Sequence, residues 1–303
     1  MAAFSRILLP TDFSDFSNQA MDQALDWAAH FGAELHLLHV VTVHNYDPFN
    51  PDMGFPEVNI AGSLQETAER QMEQIAALSP DEGPAVTKEI RTGFSPWNEI
   101  VAVAAERDTD LIIMATHGRK GLEKLFLGST AEKVLEHTPC PVLLLRPDQQ
   151  STMGKPSEIE SIILPTDFSE AAGDAAPLAF ELAQSCLSRL ILFHCVEQDV
   201  PPPYYAAGIT SIFELNDQVL SVAREHLAKL IPDSLADDLD HDFVIREGRS
   251  AHELVQFAGE SGADLIVMAT HGYSGLEQAL LGSTTDRVVR NAPCPVLVVR
   301  SKA

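Results

Sequence analysis

Gly118, Gly121 and Gly128 punctuate the stretch ATHGRKGLEKLFLGST, residues 115–130, and two hydroxyls, Ser129 and Thr130, close it. Glycine costs conformational entropy inside a helix or strand, so three of them after the apolar run DLIIMA mark a loop whose backbone must approach something closely. The hydroxyls suit a helix start. One chemistry that fits is a cradle in which backbone N–H groups and a helix N-terminus face a phosphate; the plainer one is a strand-to-helix turn with Ser or Thr as N-cap. A carboxylate stands at a second place, Asp12 in PTDFS. It can accept hydrogen bonds from ribose hydroxyls or an adenine amino group but repels phosphate, so it belongs at the base-and-sugar end of any nucleotide. Its structural alternative is to cap the first helix, which Ser14 or Asp15 could do equally.

Both motifs recur. Residues 269–284 read ATHGYSGLEQALLGST, ILLPTDFS from Ile7 returns as IILPTDFS from Ile162, and LHLLHV from Leu35 returns as LILFHC from Leu190. Asp12 and Asp167 are 155 positions apart (167 − 12), and Gly118 and Gly272 are 154 apart (272 − 118). The chain is two copies of one module of about 150 residues, a common domain size. The domains are expected over residues 1–147 and 158–303, with residues 148–157 as linker, a polar segment with no match in the other copy.

With 303 residues, 45% of them hydrophobic, each half can bury its own core. The balance of 20 Lys+Arg against 44 Asp+Glu gives a net charge of −24, which argues against nucleic-acid binding. No apolar run reaches membrane-spanning length and the N-terminus lacks the order of a signal peptide, so a cytoplasmic protein with no membrane partner is expected. Cys140, Cys186, Cys195 and Cys294 lack the close C-x-x-C spacing of a zinc or redox site and read as buried thiols.

Short runs rich in Ile, Val and Leu alternate with amphipathic stretches, the pattern of a parallel sheet with helices on both faces. Strands are expected near 5–9, 34–41, 85–91, 110–115 and 141–146, with helices near 15–31, 61–79, 96–107 and 129–137. The second copy places strands near 161–164, 189–196, 241–246, 264–269 and 295–300, and helices near 170–185, 211–230, 250–260 and 283–291. The fold class is therefore α/β, two tandem doubly wound five-stranded parallel-sheet domains, for which a flavodoxin-like strand order, 3-2-1-4-5, is expected. Ligands of such sheets bind beyond the carboxyl ends of the strands, where the order reverses. Strands one and four are neighbours in that order, so Asp12 and the Gly118–Thr130 loop share one crevice. The long loops 42–60 and 197–210, the second with Pro201, Pro202, Pro203, Tyr204 and Tyr205, differ between the copies and are where their binding should diverge.

PTDFS, the LLHV second strand, the Gly-x2-Gly-x9-Gly-Ser type loop and the final PCPVLLLRP strand, each present twice, give a sequence that resembles a tandem member of the universal stress protein family, in its nucleotide-binding branch. One departure occurs in both copies: the first glycine of the loop is Ala115 and Ala269. The resemblance implies an adenine nucleotide alpha hydrolase-like, flavodoxin-like fold and a site by position. Pro10, Thr11 and Asp12, with Pro165, Thr166 and Asp167, would meet the adenine or ribose. The backbone of Val40 and Cys195 would meet the base, and Met114 and Met268 would line the sugar. Gly118, Gly128, Ser129 and Thr130 would hold phosphates in the first half, as would Gly272, Gly282, Ser283 and Thr284 in the second. Arg119 and Lys120 add charge in the first half only, since Tyr273 and Ser274 replace them.

The cofactor so implied is ATP, or AMP or cyclic AMP, with Mg2+ accompanying it. The implied role is a stress-response protein with nucleotide-dependent protein partners. The family also implies a dimer through its last strands, which here could form inside one chain as a pseudo-dimer, with a homodimer of tandem chains left open. A nucleotide-free interaction module and a weak ATP hydrolase are the alternatives. No G-x-x-x-x-G-K-[ST] loop supplies a P-loop lysine. His117 and His271 are the acid-base candidates, with loop-holding the commoner role for such histidines, while His39 and His194 read as satisfied core residues.

Overall fold

The computed structural model describes residues 3–42, 60–77, 83–116, 127–146, 155–197, 211–216, 218–270 and 281–301. In the first half β1 (Arg6–Thr11), β2 (Glu34–Thr42), β3 (Val86–Gly93), β4 (Leu111–Ala115) and β5 (Val142–Leu145) alternate with α1 (Asp15–Phe31), α2 (Ile60–Ala76), α3 (Pro96–Glu106) and α4 (Ser129–His137). The second half follows with β6 (Ser161–Pro165), α5 (Glu170–Gly173), α6 (Ala176–Cys186), β7 (Arg189–Val196), α7 (Ile212–Leu215), α8 (Gln218–Leu230), β8 (His241–Glu247), α9 (Ser250–Ser261), β9 (Leu265–Ala269), α10 (Ser283–Asn291) and β10 (Val296–Val299).

The strands form one ten-stranded sheet in the order β3-β2-β1-β4-β5-β10-β9-β6-β7-β8. Each half therefore has the expected order 3-2-1-4-5 and is parallel throughout. The two meet where β5 and β10 pair antiparallel, with Val142 opposite Val298, Leu143 opposite Leu297 and Leu144 opposite Val296. Leu143 thus lies against its own repeat copy, which places an approximate two-fold axis at the seam. Successive residues of a strand face opposite sides of a sheet. Leu143 and Leu297 accordingly join the apolar cluster on one face. Val142, Leu144, Val296 and Val298 join the cluster on the other. Both clusters run across both halves.

Helix ends follow local chemistry. α1 starts at Ser14, whose hydroxyl accepts from the Ser17 N–H, and ends at Gly32, left-handed at φ 67°. Two expected helices are interrupted. The 170–185 stretch divides into α5 and α6 because Pro177, in the first turn of α6, has no N–H to continue the ladder. The 211–230 stretch divides at Asn216, which is extended and whose side chain accepts from the Gln218 N–H to begin α8. At the end of the expected linker, residues 156–158 form a short 3-10 turn that runs into the second domain.

Candidate functional site

In both copies the chain leaves the first strand through a strained turn. Phe13 and Phe168 adopt left-handed backbone at φ 62° and 64°. For a bulky residue that conformation is uncommon and costs about 1–2 kcal/mol. What holds it is printed twice in the sequence. The Phe13 N–H donates to the Thr11 hydroxyl at 3.0 Å, and the Phe168 N–H to that of Thr166 at 2.9 Å. The Phe13 ring stacks on His39 with centroids 4.1 Å apart, and Phe168 packs on His194 at 4.2 Å. His39 Nδ1 lies 2.8 Å from the Thr11 carbonyl and His194 Nδ1 lies 2.9 Å from that of Thr166. A carbonyl only accepts, so in each ring Nδ1 carries the proton. Burial holds His194 below the ordinary histidine range. These second-strand histidines are satisfied, as read from the sequence, and their task is to fix the PTDFS turn.

The turn aims Asp12 and Asp167 back over the start of the next helix. Asp12 Oδ1 accepts from the Ser14 N–H at 3.0 Å, the Ser14 hydroxyl at 2.6 Å and the Ser17 hydroxyl at 2.6 Å. Asp167 Oδ1 accepts from the Ser169 N–H at 3.0 Å and its hydroxyl at 2.6 Å. The cap itself is Ser14 in one copy and Ser169 in the other, so the aspartates brace the capping serine.

The second motif closes on the same edge of the sheet. The Gly128 N–H donates to the Thr116 carbonyl at 2.8 Å, and that of Gly282 to the Thr270 carbonyl at 2.9 Å. A Cβ on Gly128 would come 2.8 Å from the Thr116 oxygen, so only glycine fits there. The glycine is also the N-cap. The expectation that a hydroxyl residue caps this helix is corrected: Gly128 and Gly282 hold the cap position, and Ser129, Thr130, Ser283 and Thr284 fall in the first turn. Neither helix has a side-chain cap bond. The first N–H groups of a helix lack partners within it, so α4 and α10 each present a positive, donor-rich end toward the strand edge.

In the second half these parts enclose a cleft of about 380 Å³. Of the residues singled out in the sequence, Pro165, Thr166 and Asp167 line it at β6, Cys195 at β7 and Met268 at β9. Gly282, Ser283 and Thr284 line it at the start of α10. Sequence reasoning passed over Phe193, Glu197, Ser250 and Thr285, which also line it. Two of them carried a usable signal: Phe193 and Glu197 flank Cys195 at the two-residue spacing that shares a sheet face.

Hydrogen bonds from the Ser250 hydroxyl and N–H hold the Glu197 carboxyl below the usual range, so it is ionised at neutral pH. No lysine or arginine is among the described lining residues. Burial pushes the Cys195 thiol up to about 11, which removes it as a nucleophile. Burial likewise raises Cys140 and Cys186 to about 11 and Cys294 to about 12.

In the first half Pro10 and Thr11 end β1, Asp12 follows them, Val40 lies near the end of β2 and Met114 near the end of β4. Val40 and Met114 pack with the same apolar cluster. Gly118, Arg119 and Gly272 lie outside the described residues, as do His117, His271, Lys120, Tyr273, Ser274 and the Pro201–Tyr205 run. Among the described residues no group of three or more His, Cys, Asp or Glu could hold a metal ion. None of the described helices is long and apolar enough to cross a membrane.

Both copies of the domain that carries these parts match known proteins. Residues 3–146 and 158–300 each match the family model described as the universal stress protein family. Universal stress protein MJ0531 of Methanocaldococcus jannaschii is 34% identical over 147 residues, 47% of this chain and 82% of that protein. A universal stress protein of Mycolicibacterium smegmatis is 27% identical over 308 residues, 98% of this chain and 97% of its own. In structure, a universal stress protein from Archaeoglobus fulgidus aligns with TM-score 0.66 over 99% of both chains at 21% identity, a likeness of fold.

Proposed function

The chain belongs to the universal stress protein family, as two tandem copies of its domain, and from that premise we propose that it binds an adenine nucleotide in one or both clefts and presents a nucleotide-dependent surface to a protein partner. The observation that carries the reading is the polarity of the second cleft. The start of α10, capped by Gly282 without a side-chain bond, suits phosphate, and Asp167, just past the end of β6, suits ribose or base. Ser283 and Thr284 would hold phosphate beside the Gly282 cap, whose own N–H is taken by the Thr270 carbonyl, Met268 would face the sugar, and the Cys195 backbone would meet the base. Gly128, Ser129, Thr130, Asp12, Met114 and Val40 take the same parts in the first copy. The ligand we infer is ATP with Mg2+, with AMP and cyclic AMP as the competing adenine nucleotides. Another universal stress protein, 19% identical, has been solved in complex with cAMP. The proposed setting is the cytoplasm, with protein partners as the readout.

Thermal unfolding of the purified, nucleotide-free chain with and without Mg-ATP tests this. Ligand at about 100 times its dissociation constant stabilises the native state by about 2.7 kcal/mol. At roughly 2–4 °C per kcal/mol, the midpoint rises by several degrees. The rise should vanish in the double variant Ser129→Asp, Ser283→Asp, which puts a carboxylate where each phosphate would sit. No rise in the parent chain overturns the reading in favour of a nucleotide-free interaction module.

A further inference from the structure

The two ends of the second cleft differ in a way that fixes what each can accept. β9 and β7 lie on either side of β6, and adjacent strands are about 4.8 Å apart, so the ends are separated by about 10 Å. At the β9 end is α10, without a side-chain cap. At the β7 end stands Glu197, directly after the strand and two residues past Cys195. Its Oε1 accepts from the Ser250 N–H at 2.7 Å, at the first residue of α9. That second helix start is therefore already filled by a carboxylate of the protein. Among the described residues lining the cleft, the helix end left to a ligand anion is that of α10, and the opposite end of such a ligand faces Glu197.

An ionised carboxylate only accepts hydrogen bonds, and it has about four acceptor positions, so the two bonds from Ser250 leave capacity for a ligand. The facing ligand group must then be an N–H or O–H donor, because a carbonyl there would set oxygen against oxygen. Adenine carries an exocyclic amino group where hypoxanthine carries a carbonyl. The first copy is built differently. Its residue at the place of Glu197 is Thr42, whose hydroxyl both donates and accepts, and α3 begins at Ser95 with no side-chain cap bond. We propose that Glu197 is the specificity-determining residue of the second cleft, selecting a base with an amino donor, adenine over hypoxanthine, while the first cleft makes no such selection. This rests on the nucleotide reading above.

The test is calorimetric titration of the full chain with Mg-ATP and with Mg-inosine triphosphate, the first cleft closed by Ser129→Asp. ATP should bind about tenfold more tightly or better, the effect of one hydrogen bond to a charged group. Glu197→Gln, whose amide can turn an N–H toward a carbonyl, should bring the ratio close to one. Conversely, Thr42→Glu in a chain closed at Ser283→Asp should create a preference for ATP in the first cleft. If Glu197→Gln binds ATP with the ratio unchanged, the proposal is overturned, Glu197 only caps α9, and the nucleotide reading stands. Should Glu197→Gln fail to fold, Thr42→Glu decides, and no gain in preference overturns the proposal. If the parent chain binds neither triphosphate, the nucleotide reading itself fails and takes the inference with it.

Discussion

Phe13 and Phe168 show how single residues prepare the cleft. Each spends strain in the left-handed region, and each recovers it from one hydroxyl, one imidazole packed on its ring and that imidazole's bond to the threonine carbonyl. Replacing His194 with Ala should release the turn and cost about 1–2 kcal/mol, read as a lower urea midpoint. Replacing Phe168 with Gly in that background should restore part of the loss, because glycine adopts the same backbone without strain; no restoration would remove strain from the account. Gly128 is the other position where one atom decides. Gly128→Ala sets a methyl against the Thr116 carbonyl and should destabilise by about 1–3 kcal/mol even though its φ of −63° suits any residue. An unchanged midpoint would mean that the loop shifts to make room.

Elements need protection as well as positioning, and β3 at one edge of the sheet carries it in charge. Glu89 meets Arg91 at 2.5 Å, Arg107 at 2.7 Å and His36 at 3.1 Å, and Arg91 also pairs with Glu106. Charged side chains on an edge strand discourage pairing with another chain. Burial pushes the Glu89 carboxyl up, and the bonds from Arg91 and Arg107 outweigh it and hold the group at about 2 against an ordinary 4.5. A depressed carboxyl stabilises the fold above its unfolded value and loses that contribution as pH falls through its folded value. Glu89→Gln should therefore lower stability by about 2 kcal/mol near neutrality, after discounting for solvent screening. The gap between variant and parent should shrink from about pH 4.5 downward and close near pH 2. A gap independent of pH would assign the loss to packing.

Across the whole molecule the two halves hold each other. Beyond the β5–β10 pairing, Arg146 donates to the Arg290 carbonyl at the end of α10, and Arg300 donates to the carbonyls of His137 and Thr138 at the end of α4. Each cation thus meets the negative end of the other half's last helix. Of the helices so clasped, α10 has its opposite end on the cleft of the second half. A chain ending at residue 147 would uncover β5 and is expected to form a dimer in sedimentation, with β5 against its own copy; a monomer would show that α4 and the clasps, not the strand edge, drive the association. Much of this was legible in the sequence. Alternating apolar runs gave the strands and the displacement of about 154 residues gave the repeat, because periodicity and turn chemistry act over a few residues, and the order 3-2-1-4-5 expected of a flavodoxin-like sheet is the order found in each half. The tertiary structure alone decided that glycine caps α4 and α10, that His39 and His194 hold the turns, and that Glu197 fills the start of α9. It also set Leu143 against Leu297. Those pairs join residues from 12 to more than 150 positions apart, and no local pattern records which distant group will satisfy a carbonyl, a helix end or a strand edge.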